Sequence, residues 1–218
     1  MNPSLKVKIC GLTSERDALD ACCLGADILG FNLVPVSKRY VDPYTVRHII
    51  QCLPPFVTRV GIFADEELSV VNDLTSFLGL DAVQLHGHEE ADYCLRVRAP
   101  VIKAVRVGGR EDLEGLHRFR VAAFLLDARV EGELGGTGRT FPWEIAEDFC
   151  RENRVIVAGG LRPDNVGEVI RTLVPCGVDA ASGVESAPGV KDPQLVEEFI
   201  RAARDAALGN GGCDDIAC

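Results

Sequence analysis

The chain has no C-x-x-C pair, and its nine cysteines, an odd number, stand at Cys10, Cys22, Cys23, Cys52, Cys94, Cys150, Cys176, Cys213 and Cys218 without paired spacing. A disulfide framework, a zinc site and a dithiol redox centre are therefore disfavoured, and free thiols in a reducing compartment are the simpler reading. No run of 18 or more apolar residues occurs, so no membrane-spanning helix is expected. The opening Met-Asn-Pro-Ser-Leu-Lys lacks a basic stretch followed by an apolar one, so no secretory signal is expected and the cytoplasm is the expected location. Basic residues are in deficit: 23 Lys and Arg against 33 Asp and Glu give a net charge of −10. That balance argues against a nucleic-acid or anionic-membrane partner, and leaves an anionic ligand possible only through a locally positive site. Neither G-x-G-x-x-G nor a P-loop is present in a strand-turn-helix context, and no metal-ligand cluster appears, so no cofactor and no metal are expected.

What is present is a regular alternation. Eight short apolar, β-branched runs recur: 5–10, 28–34, 57–63, 82–85, 101–107, 123–127, 155–158 and 178–181. Between them lie stretches of helical period. Val46, Ile49, Ile50 and Leu53 fall at i, i+3, i+4 and i+7, and Val166, Val169, Ile170 and Leu173 repeat the spacing. Asp42-Pro43 and Asp192-Pro193 place an N-cap before a first-turn proline, and Pro142 and Pro163 also stand where helices should open.

Strict alternation implies parallel strands joined by crossover helices. An open doubly wound sheet fits the periodicity too, but eight units with glycine-rich turns after the last two favour a single-domain (β/α)8 TIM barrel of the α/β class, with few insertions. Residues 1–208 form that barrel and 209–218 (GNGGCDDIAC from Gly209) a flexible C-terminal tail.

In such a barrel the chemistry sits where strands end. The first run closes with Lys8-Ile9-Cys10-Gly11, and alternation puts Cys10 on the face of Lys8. Taken alone, Cys10 is more often a buried small hydrophobe than a base. The sixth run closes with Asp127, for which catalysis and a structural role as N-cap or salt-bridge partner, for instance to Arg129, are about level. Gly159-Gly160 and Ser182-Gly183 follow the seventh and eighth runs, where glycine turns let backbone N–H groups cradle a phosphate. Ser182 and Glu185 have the spacing of a capping box. Gly135 to Trp143, including Gly136, has the composition of a mobile loop that closes over a ligand. Arg39, beside Lys38 and Tyr40, is suited to a bidentate grip on a carboxylate. Gln84, His86 and Asp179 are further polar residues at strand ends, read as supporting groups.

These stretches together are familiar. KICG at 8–11, GFNLVPVSKRYV at 30–41, RVGIF at 59–63, VQLHG at 83–87, LLDA followed by GGTGRTFPW, AGGLRPDNV from Ala158, and SGVE with PGVKD ending at Asp192 resemble phosphoribosylanthranilate isomerase of tryptophan biosynthesis, over about residues 5 to 205. The resemblance implies an Amadori rearrangement of a small phosphosugar, an aminoaldose, to an aminoketose. It implies Asp127 as general acid, Cys10 as general base, Arg39 on the anthranilate carboxylate, and backbone around Gly136, Gly159, Gly160, Ser182 and Gly183 on the substrate and its phosphate. It implies no cofactor, and a monomer or homodimer. A positive charge must help Cys10 to ionise, with Lys8 or Arg39 as the candidates. The sequence departs from the family pattern at Ala181, where a second serine is usual, and at Leu33 and Val34, where aromatics are common. The histidine-pathway isomerase that runs the same rearrangement carries an aspartate where Cys10 stands, and a non-catalytic phosphate sensor predicts erosion of the acid or base, both of which are present.

Overall fold

A computed structural model of the chain describes residues 5–128 and 142–209. Eight parallel strands close a barrel in sequence order: β1 (Lys6–Cys10), β2 (Ile28–Asn32), β3 (Thr58–Phe63), β4 (Ala82–Leu85), β5 (Val101–Val107), β6 (Ala123–Ala128), β7 (Val155–Val157) and β8 (Gly177–Ala180). β8 returns to β1 with Lys8 opposite Asp179. The helices packed around it are α1 (Glu15–Cys23), α2 (Pro43–Cys52), α3 (Leu68–Leu78), α4 (Ala91–Arg96), α5 (Glu147–Glu152), α6 (Val166–Leu173) and α7 (Pro193–Gly209). No described helix is long and apolar enough to cross a membrane, and the seven described cysteines are all unpaired.

Local chemistry explains most boundaries. Asp42 accepts the N–H groups of Tyr44 and Thr45 and so caps α2, and Asp192 does the same for the start of α7. The buried stripe of α6 is Val166, Val169, Ile170 and Leu173, as the spacing requires. Three expectations need correcting. Pro163 lies in a turn before α6, where Asn165 accepts the N–H of Arg162. Between β5 and β6 there is no α-helix, only two 3₁₀ turns at Arg110–Leu113 and Leu116–Arg118. Gly108 and Gly109 donate there to Asp112, and Gly115 takes φ +71°, so local turn bonds displace the helix. Gly209 closes α7, so the supposed tail loses its first residue to a helix, while residues 210–218 lie outside the described part.

Alternation divides the core in two. Val7, Ile9, Leu29, Phe31 and Leu126 face outward and pack under the helices. Val60, Ala82, Ile102, Ala104, Leu125 and Ile156 fill the barrel interior. After β8 the chain adds a small antiparallel hairpin, β9 (Glu185–Ala187) and β10 (Val190–Lys191), whose register sets Lys191 opposite Glu185. Its turn is Pro188-Gly189, with Gly189 at φ +82°, the proline-then-glycine order of a type II turn.

The loops after β3 and β4 are tied from below. The buried Lys103, facing outward on β5, donates to Glu89 at 2.7 Å and to the Gly87 carbonyl at 2.8 Å, while Glu89 also accepts the N–H groups of Asp65 and Gly87. Lys103→Met strands that carboxylate without its cation and is expected to lower unfolding free energy by about 3–5 kcal/mol in urea titrations. Lys103→Met combined with Glu89→Gln should recover part of the loss.

Candidate active site

Cys10 is the last residue of β1, and its side chain shares the barrel-facing side of the strand with Lys8. Lys8 has no exposed surface, and its Nζ donates to Asp179 Oδ1 at 2.9 Å. Burial acts against the ammonium, but Asp179 and Cys10 outweigh it and hold the Lys8 pKa above the ordinary lysine range. For Cys10, burial pushes the thiol up and Asp179 adds to that. Lys8, by charge and hydrogen bond, and Lys191 pull it down without cancelling, so the thiol titrates above its usual range. The room for this cluster comes from Gly30 on β2. A Cβ there would meet Cys10 Sγ at 2.8 Å and Lys8 Nζ at 3.1 Å.

The second cluster hangs on the hairpin. Glu185 takes Arg39 in a two-pronged pair, Nε at 2.8 Å and Nη2 at 2.7 Å, and also accepts Lys191 Nζ at 2.8 Å. Lys191 is buried and gives a further bond to the Ala181 carbonyl. Burial opposes the Glu185 carboxylate, but Arg39 and Lys191 together hold its pKa below the ordinary carboxylate range. Burial dominates at Lys191, whose pKa falls below normal despite Glu185. The hairpin is docked on the β1–α1 corner, with Thr13 donating to the Gly189 carbonyl and the Lys191 N–H donating to Asp17.

Opposite stand the ends of β4 to β7. Asp127 is 6% exposed, and His86 Nε2 approaches its Oδ2 at 3.4 Å. Gln84 contacts His86 Nδ1 at 3.1 Å. Gly159, at φ +81°, turns the chain away from β7 so closely that a Cβ would come within 2.9 Å of Asp127 Oδ1. Only glycine fits that combination of dihedral and contact. Cys10, Arg39, Asp127, Gly159, Gly160 and Ser182 all line one cavity of about 730 Å³ at the C-terminal mouth of the barrel, within the usual range for a small-molecule site. Val34, Val36, Ile62, Ala64 and Leu125 supply its apolar wall. Lys8, Lys38, Arg39, Arg106 and Lys191 stand in or just behind that lining against Asp127, Asp179 and Glu185. Five cations against three carboxylates make the cavity locally positive in an acidic protein.

The model of the N-(5'-phosphoribosyl)anthranilate isomerase family matches residues 7–202. The chain belongs to this isomerase family. A relative so named from Pelobacter propionicus is 49% identical, over 92% of this chain and 96% of its own. The crystal structure of phosphoribosyl anthranilate isomerase from Thermotoga maritima superposes with a TM-score of 0.88 at 41% identity, covering 92% of this chain and 99% of that one. A second crystal structure of such an isomerase, in complex with reduced 1-(o-carboxyphenylamino)-1-deoxyribulose 5-phosphate, gives 0.84 at 40% identity, covering 92% and 99%.

Within this phosphoribosylanthranilate isomerase fold, the structure brings Cys10, Asp127, Arg39, Gly159, Gly160 and Ser182 to one cavity, with Gly183 in the 3₁₀ turn Ser182–Val184 that follows β8. Gly136, most of the glycine loop containing it, and Arg129 lie outside the described residues. The capping box of Ser182 and Glu185 does not form: the turn has no side-chain cap, because Glu185 is drawn to Arg39 and Lys191. Lys191 was not singled out from the sequence as a partner of this site, although it stands within PGVKD. Among the described residues one group has metal-ligand chemistry, Glu15, His48 and Cys52, none of them buried and none of them lining the cavity.

Two outcomes follow from this geometry. Gly30→Ala should remain folded but lose about 1–3 kcal/mol in thermal unfolding, the usual size of an overpacking penalty. Alkylation of Cys10 by iodoacetamide, followed by peptide mass spectrometry against pH, should show a midpoint above that of an ordinary thiol. The midpoint should move further up in Lys191→Met, since a cation that favours the thiolate has gone.

Proposed function

We propose that the chain isomerises N-(5-phosphoribosyl)anthranilate to 1-(2-carboxyphenylamino)-1-deoxyribulose 5-phosphate, an Amadori rearrangement that is the third step from chorismate to tryptophan. The observation that carries this reading is that Cys10 from β1 and Asp127 from β6 line the same cavity from different sides of the barrel mouth. Asp127 protonates the furanose ring oxygen, and the C1′–O bond breaks to give an iminium at C1′. Cys10 as thiolate removes the proton from C2′, and the electron pair moves to nitrogen, leaving an enolamine. Reprotonation at C1′ and loss of the C2′ hydroxyl proton give the ketone, so no atom is gained or lost overall. Both transfers are general acid–base steps that need no cofactor.

The charges around Cys10 support its role. Lys8 and Lys191 supply positive charge against which a thiolate forms, and the iminium adds to it once the ring has opened. Arg39 and Cys10 also interact by charge, but Lys8 adds a hydrogen bond to its charge, so Lys8 is the better of the two candidates named above. With Nε and Nη2 held by Glu185, Arg39 has its Nη1 group to offer the anthranilate carboxylate. The turns around Gly159, Gly160, Ser182 and Gly183 take the phosphate. We place the enzyme in the cytoplasm, in keeping with the unpaired cysteines among the described residues.

Turnover of freshly made phosphoribosylanthranilate is followed by the loss of anthranilate-type fluorescence. Wild type should consume substrate, and Cys10→Ser and Asp127→Asn, at matched folded concentration, should each lose at least about a hundredfold in kcat. Binding without turnover in wild type, or full activity in either variant, overturns the assignment.

A further inference from the structure

We propose that Arg106 is a second carboxylate ligand of the cavity, placed to grip the acid group of the aryl amine and so to select an ortho-carboxylated aromatic amine over a neutral one. This deepens the isomerase reading and rests on it. Arg106 lies near the end of β5 with Asp127 as its Cα partner on β6, and shares the inward face of its strand with Ala104 in the barrel interior. Its side chain lines the cavity. The Nε atom is buried without a hydrogen-bond partner, and the nearest contact of the fork is a long one, Nη2 to the His86 carbonyl at 3.5 Å.

The other strongly held cations of the site are each matched: Lys8 by Asp179, and Arg39 and Lys191 by Glu185. Among the described residues no carboxylate lies within ion-pair distance of Arg106. A half-buried guanidinium with a buried, unbonded Nε is incomplete, because a desolvated donor without an acceptor is costly. A carboxylate completes it best, since its two oxygens match the planar fork.

Position favours the aryl acid over the phosphate. The glycine turns follow β7 and β8, and Asp127 on β6 stands between them and Arg106. A substrate with its phosphate on those turns and its ring oxygen at Asp127 directs its far end away from them. That end meets the apolar wall of Val34, Ile62 and Ala64, in the cavity that Arg39 from the loop after β2 and Arg106 from β5 also line.

The test compares wild type, Arg106→Met and Arg106→Lys, each first checked for an unchanged unfolding midpoint. Turnover of phosphoribosylanthranilate should show KM raised at least about tenfold in Arg106→Met, with kcat changed by less than about threefold and partial recovery in Arg106→Lys. Binding is then measured by calorimetry with the reduced product analogue and with its aniline counterpart, which lacks only the carboxylate. Arg106→Met should weaken the first by a similar factor and leave the second unchanged. Equal weakening of both analogues, or of neither, overturns the proposal. So does a fall in kcat at unchanged KM with a displaced pH profile, which marks an effect on Asp127 instead. Failure of wild type to turn over defeats the isomerase reading alone, since the paired binding measurements still report whether Arg106 recognises the carboxylate.

Discussion

A lysine with no exposed surface needs its charge met inside the protein, and the bond from Lys8 to Asp179 meets it across the seam where the barrel closes. A buried pair of this kind has no large stability advantage over well-packed apolar side chains. Its effect is positional. It occupies the β1–β8 side of an interior that is otherwise filled by small and medium aliphatic groups, and it brings both a cation and an anion to the thiol of Cys10. The rest of the site is arranged around that charge: Gly30 makes room for it, and Lys191 adds to the cation side from the hairpin.

The strands were legible because each is a short apolar run that must be buried on both faces, and all eight appear within two residues of their expected ends. Cys10 and Asp127 were legible for the same reason, as polar residues closing apolar strands. The missing helix after β5 has its cause in Gly108, Gly109 and Gly115, a local turn chemistry that was overridden in the reading by the regular alternation. Glu185 misled because its spacing from Ser182 is a local pattern, whereas its partners are Arg39, 146 residues away, and Lys191 across a hairpin. Arg106 sits in a run that scores as a strand whatever its sixth residue, so nothing local marked it. Pairings across the barrel are set by strand register, and register is not written in any one segment.

Charge separates the molecule's outside from its working end. The chain carries a net charge of −10, yet the cavity gathers cations from β1, β5, the loop after β2 and the hairpin. Low-dielectric walls strengthen such a local field. The immediate lining therefore favours a small anion at the mouth of a chain that is acidic overall.

The hairpin has a consequence for how the protein comes into being. Its turn and its second strand touch residues near the start of the chain, Thr13 and Asp17, through contacts 176 and 174 residues apart. A nascent chain on the ribosome has Cys10 from the outset and Asp127 by mid-synthesis, but lacks Glu185, which orients Arg39, until the hairpin has emerged. The cavity cannot be completed piecemeal: it waits for the last strands to reach back to the first, and a chain cut short before them leaves the Cys10 thiol without Lys191.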